Sequence, residues 1–168
     1  GGTLLVAVVS LTNLGDFTAP QNPEVVQGTK TYIVQVEGEA TSLWIYPEIN
    51  WNGQLIVTDS RGTELVNQSL DYGNVFHWLS LPVTANESYT ITLNDASVME
   101  LAFKNDAGEC LPVTGESGAL FDEQSQVPDT ISYKNSMYFD EIYHGRTAYE
   151  HLHGMPVYET THPPLGTV

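Results

Sequence analysis

Apolar and polar positions alternate with a period of two along much of the first hundred residues, which is the spacing of half-buried strands and not of helices. In residues 31 to 38, Tyr32, Val34 and Val36 fall on one face and Thr31, Ile33 and Gln35 on the other. Residues 42 to 48 (SLWIYPE) are aromatic and β-branched, as a pleated surface favours. Residues 54 to 68 read as a hairpin closing at Asp59-Ser60-Arg61-Gly62, where Asp, Ser and Gly supply the turn chemistry. Residues 75 to 83, 88 to 94 and 97 to 104 complete the series. Six or seven short strands without a helical period between Thr29 and Lys104 predict a mainly β fold, an antiparallel β-sandwich.

The pattern changes on both sides of that block. Asn13 to Gly28 holds Gly, Asp, Pro and Asn at close spacing and reads as a linker. From Asn105 to Tyr133, Gly, Asp, Glu, Ser and Pro outnumber the apolar anchors, which predicts a long loop or a strap over the sandwich. One short helix follows. Asp140-Glu141 puts negative charge in its first turn, and Gly154 with Pro156 behind it offers the stop. Ile142, Ala148, Tyr149 and Leu152 make only a broken apolar stripe, so the helix needs a partner surface. The expected organisation is residues 1–20 as the end of a membrane helix and a linker, 21–105 as the sandwich, and 106–168 as an extended loop carrying the helix.

Composition narrows the partners. Five Lys plus Arg against 21 Asp plus Glu give a formal net charge of −16, which repels a phosphate backbone and excludes nucleic acid as a natural partner. Few basic residues also suit a loop that has crossed a membrane, since the positive-inside bias keeps Lys and Arg on the other side. The single cysteine, Cys110, excludes an internal disulfide and a thiolate metal site. The apolar run Leu4 to Leu11 is far shorter than the roughly 20 residues that span a bilayer, and reads either as the outer end of a transmembrane helix or as a strand.

Chemistry concentrates near the C-terminus. Asp140 and Glu141 are adjacent carboxylates, four of the five histidines (His144, His151, His153 and His162) lie between residues 138 and 166, and Pro163-Pro164 stiffens the chain after His162. His144 stands one helical turn from Asp140. Arg146 is placed either to meet a phosphate with a two-pronged donor or to pair with Glu150 at i+4. The His-x-His of 151 and 153 diverges on a helix and matches no zinc pattern. In the sandwich, Trp44, Trp51, Trp78, Tyr46 and Tyr72 offer aromatic faces for sugar rings, with Trp51 in Asn50-Trp51-Asn52-Gly53 the best placed for exposure and most of the others expected in the core.

The ordered series Asp140-Glu141, then IYHGRTAYEHLHG, then His162-Pro163-Pro164-Leu165-Gly166 resembles the first extracytoplasmic loop of the protein O-mannosyltransferases, multi-spanning enzymes that use dolichyl-phosphate mannose, and in particular their bacterial relatives. It covers about a fifth of the chain. The resemblance implies an extracytoplasmic position at the cell membrane, flanking membrane helices, a polyprenyl-phosphate sugar as donor and a protein Ser or Thr hydroxyl as acceptor. It further implies Asp140 as catalytic carboxylate, Glu141 in support, and His162 near the acceptor or the donor phosphate, with a divalent cation open in the whole enzyme. It also makes both ends of the sequence internal boundaries of a longer chain, and the fragment inactive alone. The departure is the sandwich, more than a hundred residues where the family has few. The strand pattern also resembles galactose-binding-like or discoidin-like sandwiches, and the alternative reading is a non-catalytic extracellular carbohydrate-binding module.

Overall fold

In the computed structural model, residues 19–158 are described; the Leu4 to Leu11 run and the His162-Pro163-Pro164-Leu165 turn lie outside them. Among these residues nine strands form two antiparallel sheets: β1 (Glu24–Val25), β2 (Thr29–Val36), β3 (Ser42–Pro47), β4 (Gly53–Asp59), β5 (Glu64–Leu70), β6 (Leu79–Pro82), β7 (Ser88–Asn94), β8 (Ser97–Lys104) and β9 (Val113–Gly115). The first sheet runs β1-β8-β3-β6 and the second β5-β4-β7-β2-β9, and together they make a β-sandwich. Among the described residues one α-helix, α1 (Asp140–Leu152), follows the strands.

The period-two pattern puts Tyr32, Val34, Val36, Leu55, Val57, Tyr89, Ile91 and Leu93 of the second sheet against Leu43, Ile45, Leu101 and Phe103 of the first, all buried. The second sheet leaves its other face to water: Ile33 is exposed there, and the Thr31 and Thr92 hydroxyls share a hydrogen bond at 3.2 Å. The first sheet is different. Every residue of β8 is buried, so both of its faces are covered. A bulge opposite Tyr46 and Pro47 skips Met99, which turns outward while Val98 and Leu101 both face the interior.

What covers the outer face is the segment after β8. Leu111 N–H donates to Phe103 O at 2.8 Å, and Leu101 N–H to Leu120 O at 2.7 Å, which takes up the edge of β8 beyond the two-residue β1. The region predicted as a loop or strap thus joins the fold: β9 pairs with β2, and Leu120 is fully buried in the main core. On the outer face Lys104 places its ammonium 3.8 Å from the centre of the Trp44 ring and donates to Pro128 O at 2.6 Å. A second apolar cluster of Tyr46, Val75, Phe76, Trp78 and Met99 lies there too, with Met137, Ile142 and Tyr149 packed against it.

Residues 75 to 78, read from sequence as the start of a strand, do not join a ladder; only Leu79–Pro82 does. Their backbone is shared between the end of β3, where Phe76 N–H donates to Pro47 O at 3.1 Å, and the strap. Met137 N–H donates to Phe76 O at 2.9 Å, and Trp78 N–H donates to the Ser136 hydroxyl at 3.0 Å. Phe76 has a left-handed φ of 52° here.

Among the described residues, Glu100 is a carboxylate fully enclosed beneath the strap. It accepts hydrogen bonds from Glu123 N–H at 2.9 Å and from the Gln124 amide, and its pKa is pushed up from 4.5 to about 8, chiefly by burial, with the negative charges of Asp122 and Glu123 adding to it. Between those two values the folded chain keeps a proton that the unfolded chain has lost, so Glu100 makes stability fall as pH rises from about 4.5 to 8. Glu100→Gln is expected to gain about 1–3 kcal/mol more over wild type at pH 8 than at pH 5. Urea midpoints at the two pH values measure this, and parallel curves for the two proteins contradict it.

Candidate functional site

Helix α1 sits across the outer face of the first sheet, held by polar contacts that its sequence spacing only partly suggests. Arg146 is 3% exposed, and its Nε donates to Glu150 Oε1 at 2.8 Å, one turn on. The guanidinium lies 4.7 Å from the centre of the Trp51 ring and 4.3 Å from that of Tyr158, and the two rings meet edge to face at 4.9 Å. Glu150 Oε2 accepts from Tyr158 N–H at 2.9 Å, which closes the clamp. Arg146, expected either to meet a phosphate or to pair with Glu150, is therefore enclosed with Glu150. Trp51 is 55% exposed as expected, yet part of its ring already carries the cation.

A second anchor runs through Glu48, just after β3. One carboxylate oxygen accepts from the Tyr149 hydroxyl at 2.9 Å and the other from the Ser97 hydroxyl. Asn50 completes the cluster, since its amide donates to Glu48 O and Ser97 O at 2.9 and 2.7 Å and its Oδ1 accepts from Ser97 N–H at 2.7 Å. Burial, with the Glu48 carboxylate beside it, pushes the Tyr149 phenol up. Gly145 lets the helix approach closely, because the Met137 thioether occupies the place of a Cβ there. Phe76 and Tyr149 rings meet at 5.1 Å.

These anchors fix the head of the helix at the surface. Asp140 and Glu141 are both exposed and open onto different clefts. Asp140 borders a small one of about 240 Å³ with Tyr72, Phe139, Ile142 and Tyr143. Glu141 and His144 line a larger one of about 400 Å³ between α1, the strap and the outer face of the first sheet. Glu141 Oε2 accepts from Tyr138 N–H at 3.1 Å, which ties the chain entering the helix to its first turn, while the N-cap residue Phe139 makes no side-chain cap. Phe139, 75% exposed and just before Asp140, has φ 54°, a region that a bulky side chain enters only under strain. Exposed Tyr138, Phe139 and Tyr143 surround the two carboxylates with aromatic surface.

His162, the remaining expected site residue, lies outside the described residues. For a divalent cation, the Asp140-Glu141 pair has no third converging ligand among the described residues; the carboxylates that do converge are Glu100, Asp122 and Glu123 under the strap, with oxygens within 4.8 Å of one another. Among the described residues no helix is long and apolar enough to cross a membrane. No family model matches the chain, and no curated protein matches it either.

The sequence signals for Arg146 and Glu150 were present in their i+4 spacing. Glu48 and Tyr149 are 101 positions apart and carry no local signal, and the cleft residues Tyr46, Gln126 and Tyr133 come from three separate segments. Because the Arg146 and Glu150 charges are both enclosed, removing one leaves the other without its partner. Glu150→Gln is expected to cost about 2–4 kcal/mol, and the double change Arg146→Met/Glu150→Met to recover most of that loss. Chemical denaturation of the three variants reads it out; a neutral Glu150→Gln would mean the clamp does not hold the helix.

Proposed function

We propose that this chain is an extracytoplasmic loop of a membrane glycosyltransferase that moves a sugar, mannose by the resemblance, from a polyprenyl phosphate to a Ser or Thr hydroxyl of a protein. The observation that supports it best is the setting of Asp140. Its carboxylate stands exposed beside an aromatic-lined cleft, at the head of a helix whose far end is clamped to the sandwich through Arg146, Tyr149 and Glu150. A rigid element places a reacting group better than a loop does.

In that reaction the acceptor oxygen forms a bond to the anomeric carbon as the carbon–oxygen bond to phosphate breaks, and the configuration inverts. The hydroxyl proton passes to Asp140 and the polyprenyl phosphate leaves as an anion. A carboxylate suits the first task because a hydroxyl is a weak nucleophile, whereas phosphate is already a fair leaving group. Glu141, tied to Tyr138 N–H, supports the helix head. His144 borders the adjoining cleft, and His162 is assigned to the acceptor or donor phosphate side by the resemblance alone. Strain at Phe139 adds to the reading, since unfavourable backbone geometry is retained where it positions a working group.

The test needs the longer enzyme. Asp140→Asn keeps size and removes the base, so transfer from a polyprenyl-phosphate sugar is expected to fall by roughly 100-fold or more, with Glu141→Gln costing less. Both changes are expected to leave stability within about 0.5 kcal/mol of wild type. Transfer at the wild-type rate by Asp140→Asn would remove Asp140 from the chemistry.

A further inference from the structure

We infer that the larger cleft, beside but separate from the Asp140 cleft, is a binding site for a single neutral sugar ring. The inference stands whether or not Asp140 acts in transfer. At about 400 Å³ the cleft is within the range of small-molecule sites and well above a packing defect. Tyr46 and Trp78, both nearly fully buried, lie beneath it, and Tyr133, largely exposed, stands at its rim, so the open ring for the C–H face of a pyranose is that of Tyr133.

The polar atoms around the cleft decide the class of ligand. Gln126 Oε1 is buried and has no hydrogen-bond partner, a cost that a native site retains when something else supplies the donor. The Tyr46 phenol is pushed up to about 12 by burial alone, with no hydrogen bond contributing. Glu141, one oxygen of which accepts from Tyr138 N–H, lines the cleft together with His144. An acceptor amide and a carboxylate call for a ligand rich in hydroxyl donors. An anion meets Glu141, and among the described residues lining the cleft Lys134 is the one Lys or Arg to offset it, which disfavours phosphate. A quaternary ammonium would suit the aromatic rings but leaves Gln126 Oε1 without a donor. A hexose brings hydroxyl donors for these acceptors and a C–H face for the Tyr133 ring.

The test titrates the chain itself with methyl α-D-mannopyranoside, methyl β-D-glucopyranoside, methyl β-D-galactopyranoside and N-acetylglucosamine, following backbone amide shifts. At least one is expected to bind with saturating shifts at residues 46, 78, 126, 133 and 144. Gln126→Leu, which removes the acceptor, and Tyr133→Ala, which removes an exposed ring, are each expected to weaken that binding about tenfold. Ile33→Thr, on the open face of the other sheet, is expected to bind as wild type. Tyr133 is exposed, so its variant keeps the fold even where Gln126→Leu disturbs the strap. No shift at these residues with any of the four sugars overturns the inference. So does wild-type binding by Tyr133→Ala and Gln126→Leu, or tetramethylammonium or inorganic phosphate occupying the cleft in preference to every sugar.

Discussion

The structure depends on the need to cover the outer face of the first sheet. An antiparallel sheet in a sandwich ordinarily gives one face to water, and the second sheet here does so. The first sheet instead turns Trp44, Tyr46, Met99, Ala102 and Lys104 outward, beside Phe76 and Trp78. Fully burying one large apolar side chain is worth about 1.5–3 kcal/mol, so a patch of this size draws the segments after β8 onto it. The strap and α1 are what it recruits. Several polar groups caught in the process find partners: Lys104 the Pro128 carbonyl, Glu48 the Tyr149 and Ser97 hydroxyls, Arg146 Nε the Glu150 carboxylate.

That constraint also explains which parts of the fold were legible in the sequence. Strands β7 and β8 match the ranges read from the chain residue for residue, and β2 and β3 start or end within two residues, because their alternation and β-branched content are local properties. The Asp59 to Gly62 turn was legible for the same reason: Asp59 Oδ1 accepts from the N–H groups of Arg61 and Thr63 at 2.9 and 2.8 Å. Residues 75 to 78 misled because they are buried without being laddered; apolar content reports burial, and only register with a neighbour makes a strand. Strands β1 and β9, two and three residues long, are too short for any period to show.

The candidate site divides in the same way. The start of α1 at Asp140 and the Arg146 and Glu150 pair follow from charge placement and helical spacing. The Glu48 and Tyr149 contact, the Met137 approach to Gly145, and the cleft built from Tyr46, Gln126, Tyr133 and Glu141 depend on how the strap crosses the sheet. Such contacts are products of tertiary packing, and no window of sequence contains them. The sandwich is thus more than a spacer in this account: it fixes the helix that presents Asp140 and forms the floor of the cleft beside it.

The central claim is that α1 is rigid because the sandwich holds it, since a helix of this length with a broken apolar stripe is marginal in water by itself. Native-state hydrogen exchange on the chain tests that claim directly. The amides of residues 145 to 152 should exchange with an opening free energy close to that of β8, and that protection should fall selectively in Tyr149→Phe, which cuts the tie to Glu48. Exchange of these amides at free-peptide rates while β8 stays protected would contradict the account, leaving α1 an unanchored segment and Asp140 without a fixed position.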